Sequence, residues 1–129
     1  MNEVLDTHLQ ELRRGTVVLA CLQLLRTPGY GYGLLEQLEK RGFATDANTL
    51  YPLLRRLEKQ GHLTSEWNTD EARPRKFYRT SDAGTALADT LTQEWLALTA
   101  AISGLTDAPA TEATTTDITT ADPSTEEEK

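Results

Sequence analysis

A single cysteine, Cys21, excludes an intramolecular disulfide, and neither His8 nor His62 has Cys or acidic partners at zinc-ligand spacing. Cys21 falls in an apolar helical pattern, where a small buried thiol is the ordinary expectation. Nothing in the chain approaches the roughly 18 to 20 consecutive apolar residues that a bilayer-spanning helix needs. A charged-then-apolar leader is also missing, so a cytoplasmic location without a membrane partner is expected. No convincing Ser/His/Asp or Cys/His set stands out. The stretch "GYGYG" follows no strand and fits no nucleotide fingerprint. Glu36 and Glu39 beside Lys40 are explained by an ion-paired helix face. No enzyme activity, cofactor or metal is expected.

Charge is present but unevenly placed. The sequence has 129 residues and a formal net charge of −7. Residues 1 to 105 hold 12 Lys and Arg against 13 Asp and Glu, whereas the last 24 residues hold one Lys and seven acids. The acidic character therefore belongs to the tail. Between Lys40 and Thr80, nine basic residues face five acidic ones, the sign that a phosphate-facing surface needs.

Leu9, Leu12, Thr16, Leu19 and Leu22 recur at helical spacing, widened by Val17, Val18 and Leu24, which predicts a helix over 8–26. "RTPGYGYG" reads as a turn, and a second helix is expected over about 31–41, carried by Leu34, Leu35 and Leu38 and stopped by Gly42. A third should run over 47–60. Its cap is Asp46, whose carboxylate can accept the amide of Asn48 or Thr49, and Gly61 suits a left-handed end. Leu50, Leu53 or Leu54, and Leu57 form its buried side, leaving Tyr51, Arg55, Arg56 and Lys59 on the wet side. "HLTSEW" and "RKFYRT" then read as the strands of a hairpin, with Leu63, Ser65 and Trp67 on one face and Arg73, Arg75 and Lys76 at the tip.

After Ser81 or Asp82, Leu87, Leu91, Trp95, Leu98, Ile102 and Leu105 alternate by three and four residues, the pattern of a helix lying against another helix. Such a helix over 81–105 is longer than a small body needs, so a second copy of the chain is expected to cover part of it. The remaining 106–129, rich in Thr and acids and poor in large apolar groups, is expected to be a disordered tail.

The fold class expected is mainly α with a small β-hairpin: a winged helix-turn-helix over 1–80 followed by a long C-terminal dimerisation helix. One helix of such a module enters the major groove of double-stranded DNA and the hairpin reaches toward the backbone or minor groove. Tyr51 and Arg55 are the expected readers of base edges. Leu9 and Leu12 of the first helix join Leu91, Trp95, Leu98 and Ile102 in the expected dimer surface. Trp95 either fills the seam or, with its symmetry mate, lines a cavity in which a small aromatic effector stacks; both roles are compatible.

"LRRGTVVLACLQLL" (12–25), "YGYGLLEQLEKRGF" (30–43), "NTLYPLLRRLEKQGHL" (48–63) and "RPRKFYRTSDAG" (73–84) together resemble the PadR family of bacterial transcriptional regulators over about residues 9–105. The resemblance implies a winged-helix homodimer that represses transcription, with the single C-terminal helix of the short subgroup. It matches Thr49, Tyr51, Pro52 and Arg55 to the recognition helix, Tyr32 to the second helix, and Arg75, Lys76 and Tyr78 to the wing; Asn48 and Arg73 complete the expected DNA-binding set. Some short members sense drugs or phenolic compounds at the dimer interface. Thr80 departs from the family pattern, which usually has Leu there. Two rivals of other classes are a winged-helix protein-interaction module and a small-molecule-binding protein that never touches DNA.

Overall fold

The structure, a computed structural model, describes residues 2–70 and 72–107. Its elements are α1 (Glu3–Leu24), β1 (Gly29–Tyr30), α2 (Gly31–Lys40), α3 (Ala47–Lys59), β2 (Leu63–Asn68), β3 (Arg75–Thr80) and α4 (Asp82–Asp107). This is the expected winged-helix order. The acidic tail lies, from residue 108 on, outside the described residues. Thr106 and Asp107 belong to α4 rather than to that tail; no proline lies between Leu105 and Pro109.

Capping, not burial, sets the start of α1. The Asn2 side-chain oxygen accepts the Val4 amide at 2.9 Å, so the helix begins at Glu3, earlier than the apolar spacing indicates. Its C-terminal turns supply Cys21, Leu22 and Leu25 to the core, where they meet Leu34 and Leu38 of α2, four leucines of α3, Leu63, Tyr78 and Ala88. Burial pushes the Cys21 thiol up to about 12, as suits a packed rather than a reactive sulfur.

Leu50, Leu53, Leu54 and Leu57 are all buried, which fixes how α3 rolls on the core. The helix ends at Gly61, whose φ of +86° is the left-handed value that glycine adopts without a Cβ penalty. The Gly61 amide donates to Glu58 O at 3.0 Å and the His62 amide to Leu57 O at 2.9 Å, a Schellman closure that turns the chain straight into β2.

β2 and β3 pair antiparallel from Leu63↔Thr80 to Asn68↔Arg75. Arg75 and Lys76 are therefore rungs of the ladder, and of the three cations placed at the tip only Arg73 lies in the connecting loop. The face expected to carry Leu63, Ser65 and Trp67 runs from buried to half-buried to exposed as the hairpin leaves the core. β1, in the stretch taken for a turn, adds a third strand through Gly29↔Tyr78 and Tyr30↔Phe77, giving the order β1-β3-β2. Two residues are too few to show a strand period.

Thr80 and Ser81 lock the wing base to its neighbours. The Thr80 amide donates to Leu25 O at 2.8 Å and its hydroxyl to Leu22 O at 2.7 Å, so a polar residue is satisfied where the resembled family usually has Leu. The Ser81 hydroxyl donates to Gly61 O at 2.6 Å and accepts the Gly84 amide at 3.0 Å, capping α4. Gly84 lies flush on this turn: a Cβ there would stand 2.1 Å from the His62 carbonyl oxygen.

The chain divides after Thr92 into two units. In the first, Arg26 pairs with Asp89 at 3.1 Å, and Leu91 packs half-buried against the core of its own chain, so that part of the α4 stripe is already covered. Leu9 is half-buried, while Leu12 is 72% exposed. From Gln93 on, α4 exposes Trp95 at 47%, Leu98 at 59% and Ile102 at 57%. No helix among the described residues is long and apolar enough to cross a membrane.

Candidate nucleic-acid interface

The exposed side of α3 follows from its buried side. With leucines at 50, 53, 54 and 57 turned inward, Asn48, Pro52, Arg55 and Lys59 fall at spacings of four, three and four on the opposite face, with Thr49 and Arg56 beside them. The Asp46 carboxylate accepts the Thr49 amide at 2.8 Å and holds the first turn in place. Pro52 has no N–H, so the Asn48 carbonyl lacks its usual intrahelical donor and remains an acceptor on this exposed turn. Arg55, Arg56 and Lys59 form no ion pair among the described residues.

Tyr51 is not on the wet side. It is half-buried against the core, and its ring lies where a Cβ on Gly31 would stand only 2.5 Å from Cε1. The absent side chain at Gly31 lets α2 begin against this ring. Tyr51 therefore sets how α2 meets α3, and only its hydroxyl end is a candidate for contact with a base or phosphate. Tyr32, next in α2, is 62% exposed.

The wing divides its charges between two faces. On the side facing α3, Lys76 Nζ lies 3.1 Å from Glu58 Oε1 and 5.3 Å from the centre of the Tyr78 ring. Ser65 Oγ donates to the other Glu58 oxygen. The Ser65 hydrogen bond, then Lys76, hold the Glu58 carboxyl below its ordinary range despite some desolvation. Lys76, expected as a phosphate contact, is thus half-buried and already paired with the recognition-helix candidate. On the other side, the Arg75 guanidinium lies 4.0 Å above the Tyr30 ring, Asn68 Nδ2 donates to Tyr30 Oη at 2.7 Å, and Tyr30 meets Phe77 edge-on. Arg73 is exposed in the loop between the strands.

The structure thus places Asn48, Thr49, Pro52 and Arg55 on one exposed helix, and Arg73 and Arg75 on the wing. It removes Lys76 to a brace and Tyr51 to a half-buried contact. Sequence reasoning missed Glu58 and Asn68, and it gave Ser65 and Tyr30 no partner on the wing or on α3. Opposite charge at 58 and 76 was the only signal, and no local period connects a helix residue with a strand residue 18 positions on. No group of three or more His, Cys, Asp or Glu suited to a metal ion exists among the described residues.

The profile of the transcriptional regulator PadR-like family matches residues 18–90. A crystal structure of a PadR family transcriptional regulator from Eggerthella lenta is 42% identical, with a TM-score of 0.79 over 82% of this chain and 95% of that one. A transcriptional regulator from Clostridium thermocellum is 27% identical, with a TM-score of 0.67 over 72% of this chain and 95% of that one. Among curated proteins, a transcriptional regulator of Mycobacterium tuberculosis is 40% identical over 57 residues, 44% of this chain. That match spans about half of the relative's length, 53%.

Proposed function

Because the chain belongs to the PadR-like family of transcriptional regulators, we propose that it is a homodimeric DNA-binding repressor in which α3 reads the major groove. The observation that carries this reading is the polar, basic face of α3, displayed by four buried leucines while the Glu58–Lys76 pair ties the wing to the same helix. Arg55 supplies the bidentate donor suited to a guanine edge, and Asn48 an amide suited to adenine. Thr49, Tyr32 and the Tyr51 hydroxyl position the backbone. Arg73 and Arg75 add sequence-independent attraction, since a duplex carries one negative charge per about 1.7 Å.

The exposed apolar stripe of α4, with Trp95, Leu98 and Ile102, supports a twofold seam to which Leu9 and Leu12 of α1 contribute. A dimer presents its two copies of α3 to half-sites about 34 to 36 Å apart on a pseudo-palindromic operator. An effector at the seam, small and aromatic, that favours one dimer geometry would lower the population that fits DNA. Selection of bound duplexes from a random pool tests the whole reading. Enrichment of an inverted repeat with that spacing is expected; an unenriched pool overturns it.

A further inference from the structure

An opening lies away from the exposed α4 stripe, inside the first unit. It has a volume of about 240 Å³ and lies between the end of α1, β1 and α2. Leu24, Leu25, Pro28, Leu34 and Tyr30 make its walls, and Thr27 and the exposed Gln37 are its polar side chains. Among the described residues, no charged side chain lines it. Gly29 and Gly33 contribute backbone alone. A Cβ on Gly33 would meet nothing within 4 Å, and one on Gly29 would find only Leu25 Cδ2 at 3.6 Å and a carbonyl oxygen at 4.0 Å. A side chain at either position would therefore find open space or ordinary van der Waals contact.

We propose that this cavity is a binding site for a neutral small aromatic molecule with one hydrogen-bonding group, and that Tyr30 reports its occupancy to the wing. Size supports the ligand class: an apolar cavity of about 150 Å³ already accepts benzene, so the larger volume takes a ring plus a polar atom. Charge supports it as well, because a carboxylate entering this wall set would lose hydration with no cation to meet it.

Tyr30 makes the connection. One side of this residue lines the cavity; its hydroxyl accepts from Asn68 on β2, and its ring carries the guanidinium of Arg75 on β3. A ring that settles against Tyr30 favours a different pose of that side chain, and Asn68 and Arg75 follow. Differential affinity for the two poses is all that coupling requires. By linkage, DNA must weaken the ligand by the same factor by which the ligand weakens DNA.

Indole serves as the probe, with indole-3-acetate as its charged counterpart, on the full chain. Without DNA, amide NMR should show indole shifting Gly29, Tyr30, Gly33 and Gln37 together with the Asn68 side chain, and indole-3-acetate binding more weakly. Gly33→Leu should reduce indole affinity about tenfold or more, while its circular dichroism and DNA binding stay as in the parent. Should that variant not fold, Gly29→Val fills the same space. Shifts confined to α4 around Trp95, or unchanged indole binding in the filled variants, overturn the site.

The coupling rests on the proposed DNA binding; the NMR arm does not, so the two failures are distinguishable. Saturating indole should weaken DNA binding about fivefold or more. Tyr30→Phe, which keeps the ring and its Arg75 contact, should still bind indole but lose the part of that effect carried by the Asn68 hydrogen bond. Equal coupling in Tyr30→Phe and parent overturns the Tyr30–Asn68 hydrogen bond as the route, and equal coupling in Tyr30→Leu, which also lacks the ring under Arg75, overturns Tyr30 as the reporter.

Discussion

Glu58 on α3 and Lys76 on β3 lie 3.1 Å apart, 18 positions apart in sequence, and join the helix that would enter the groove to the strand that carries the wing. Ser65 donates to the same carboxylate from β2. The pair turns a lysine that composition marks as a phosphate contact into a structural brace, and shifts the expected electrostatic work to Arg73 and Arg75.

Arg55→Ala should lower the preference for operator over random duplex by about 1 to 3 kcal/mol, the range for a bidentate base contact. Arg73→Ala should weaken all duplexes alike and reduce the salt slope by about one. Fluorescence anisotropy across a salt series measures both; equal losses on specific and random DNA for Arg55→Ala would assign the base readout elsewhere.

The Glu58 brace should be sensitive to acid. Its folded-state carboxyl sits below the ordinary value of 4.5, chiefly through Ser65, so its contribution is present above that value and fades as pH falls through the lowered one. With both side chains about a third exposed, screening keeps the pair to about 0.5 to 1 kcal/mol. Urea titrations should show Glu58→Gln less stable than the parent at neutral pH, with the difference shrinking as pH falls below 4.5. A constant difference at all pH values would show that the charge of Glu58 does not matter.

Gly84→Ala places a carbon against the His62 carbonyl, where backbone, not a flexible side chain, must give way. A loss of about 1 to 3 kcal/mol is expected from such overpacking. Thermal unfolding checks it, and an unchanged midpoint would mean that α4 starts further from the α3–β2 turn.

Thr80→Val keeps the shape but strands the Leu22 carbonyl, which accepts the buried Thr80 hydroxyl at 2.7 Å. Loss of that bond should cost about 1 to 3 kcal/mol in denaturant unfolding. Recovery of stability in Thr80→Leu would indicate that the family's usual apolar residue replaces the hydrogen bond by packing.

Trp95→Ala should shift sedimentation toward monomer at micromolar concentration, because the residue lies on the exposed α4 stripe proposed as the seam. An intact dimer that has lost binding of flat aromatic compounds would assign Trp95 to a ligand cavity instead.

What the chain alone determined is local. Leucines at 50, 53, 54 and 57, a carboxylate cap at Asp46 and a left-handed glycine at 61 define α3 and its exposed face through interactions within four or five residues, and such interactions leave a period in the sequence. The hairpin was legible for the same reason, apart from the register that draws Arg75 and Lys76 out of its tip. Tertiary structure alone decided that Tyr51 lies against Gly31, that Glu58 holds Lys76, that a two-residue strand brings Tyr30 to Asn68, and that Gly29 and Gly33 come to line an opening between α1 and α2. Each of these depends on how elements dock and on strand register, and side chains that meet only after docking carry no sequence period to announce them.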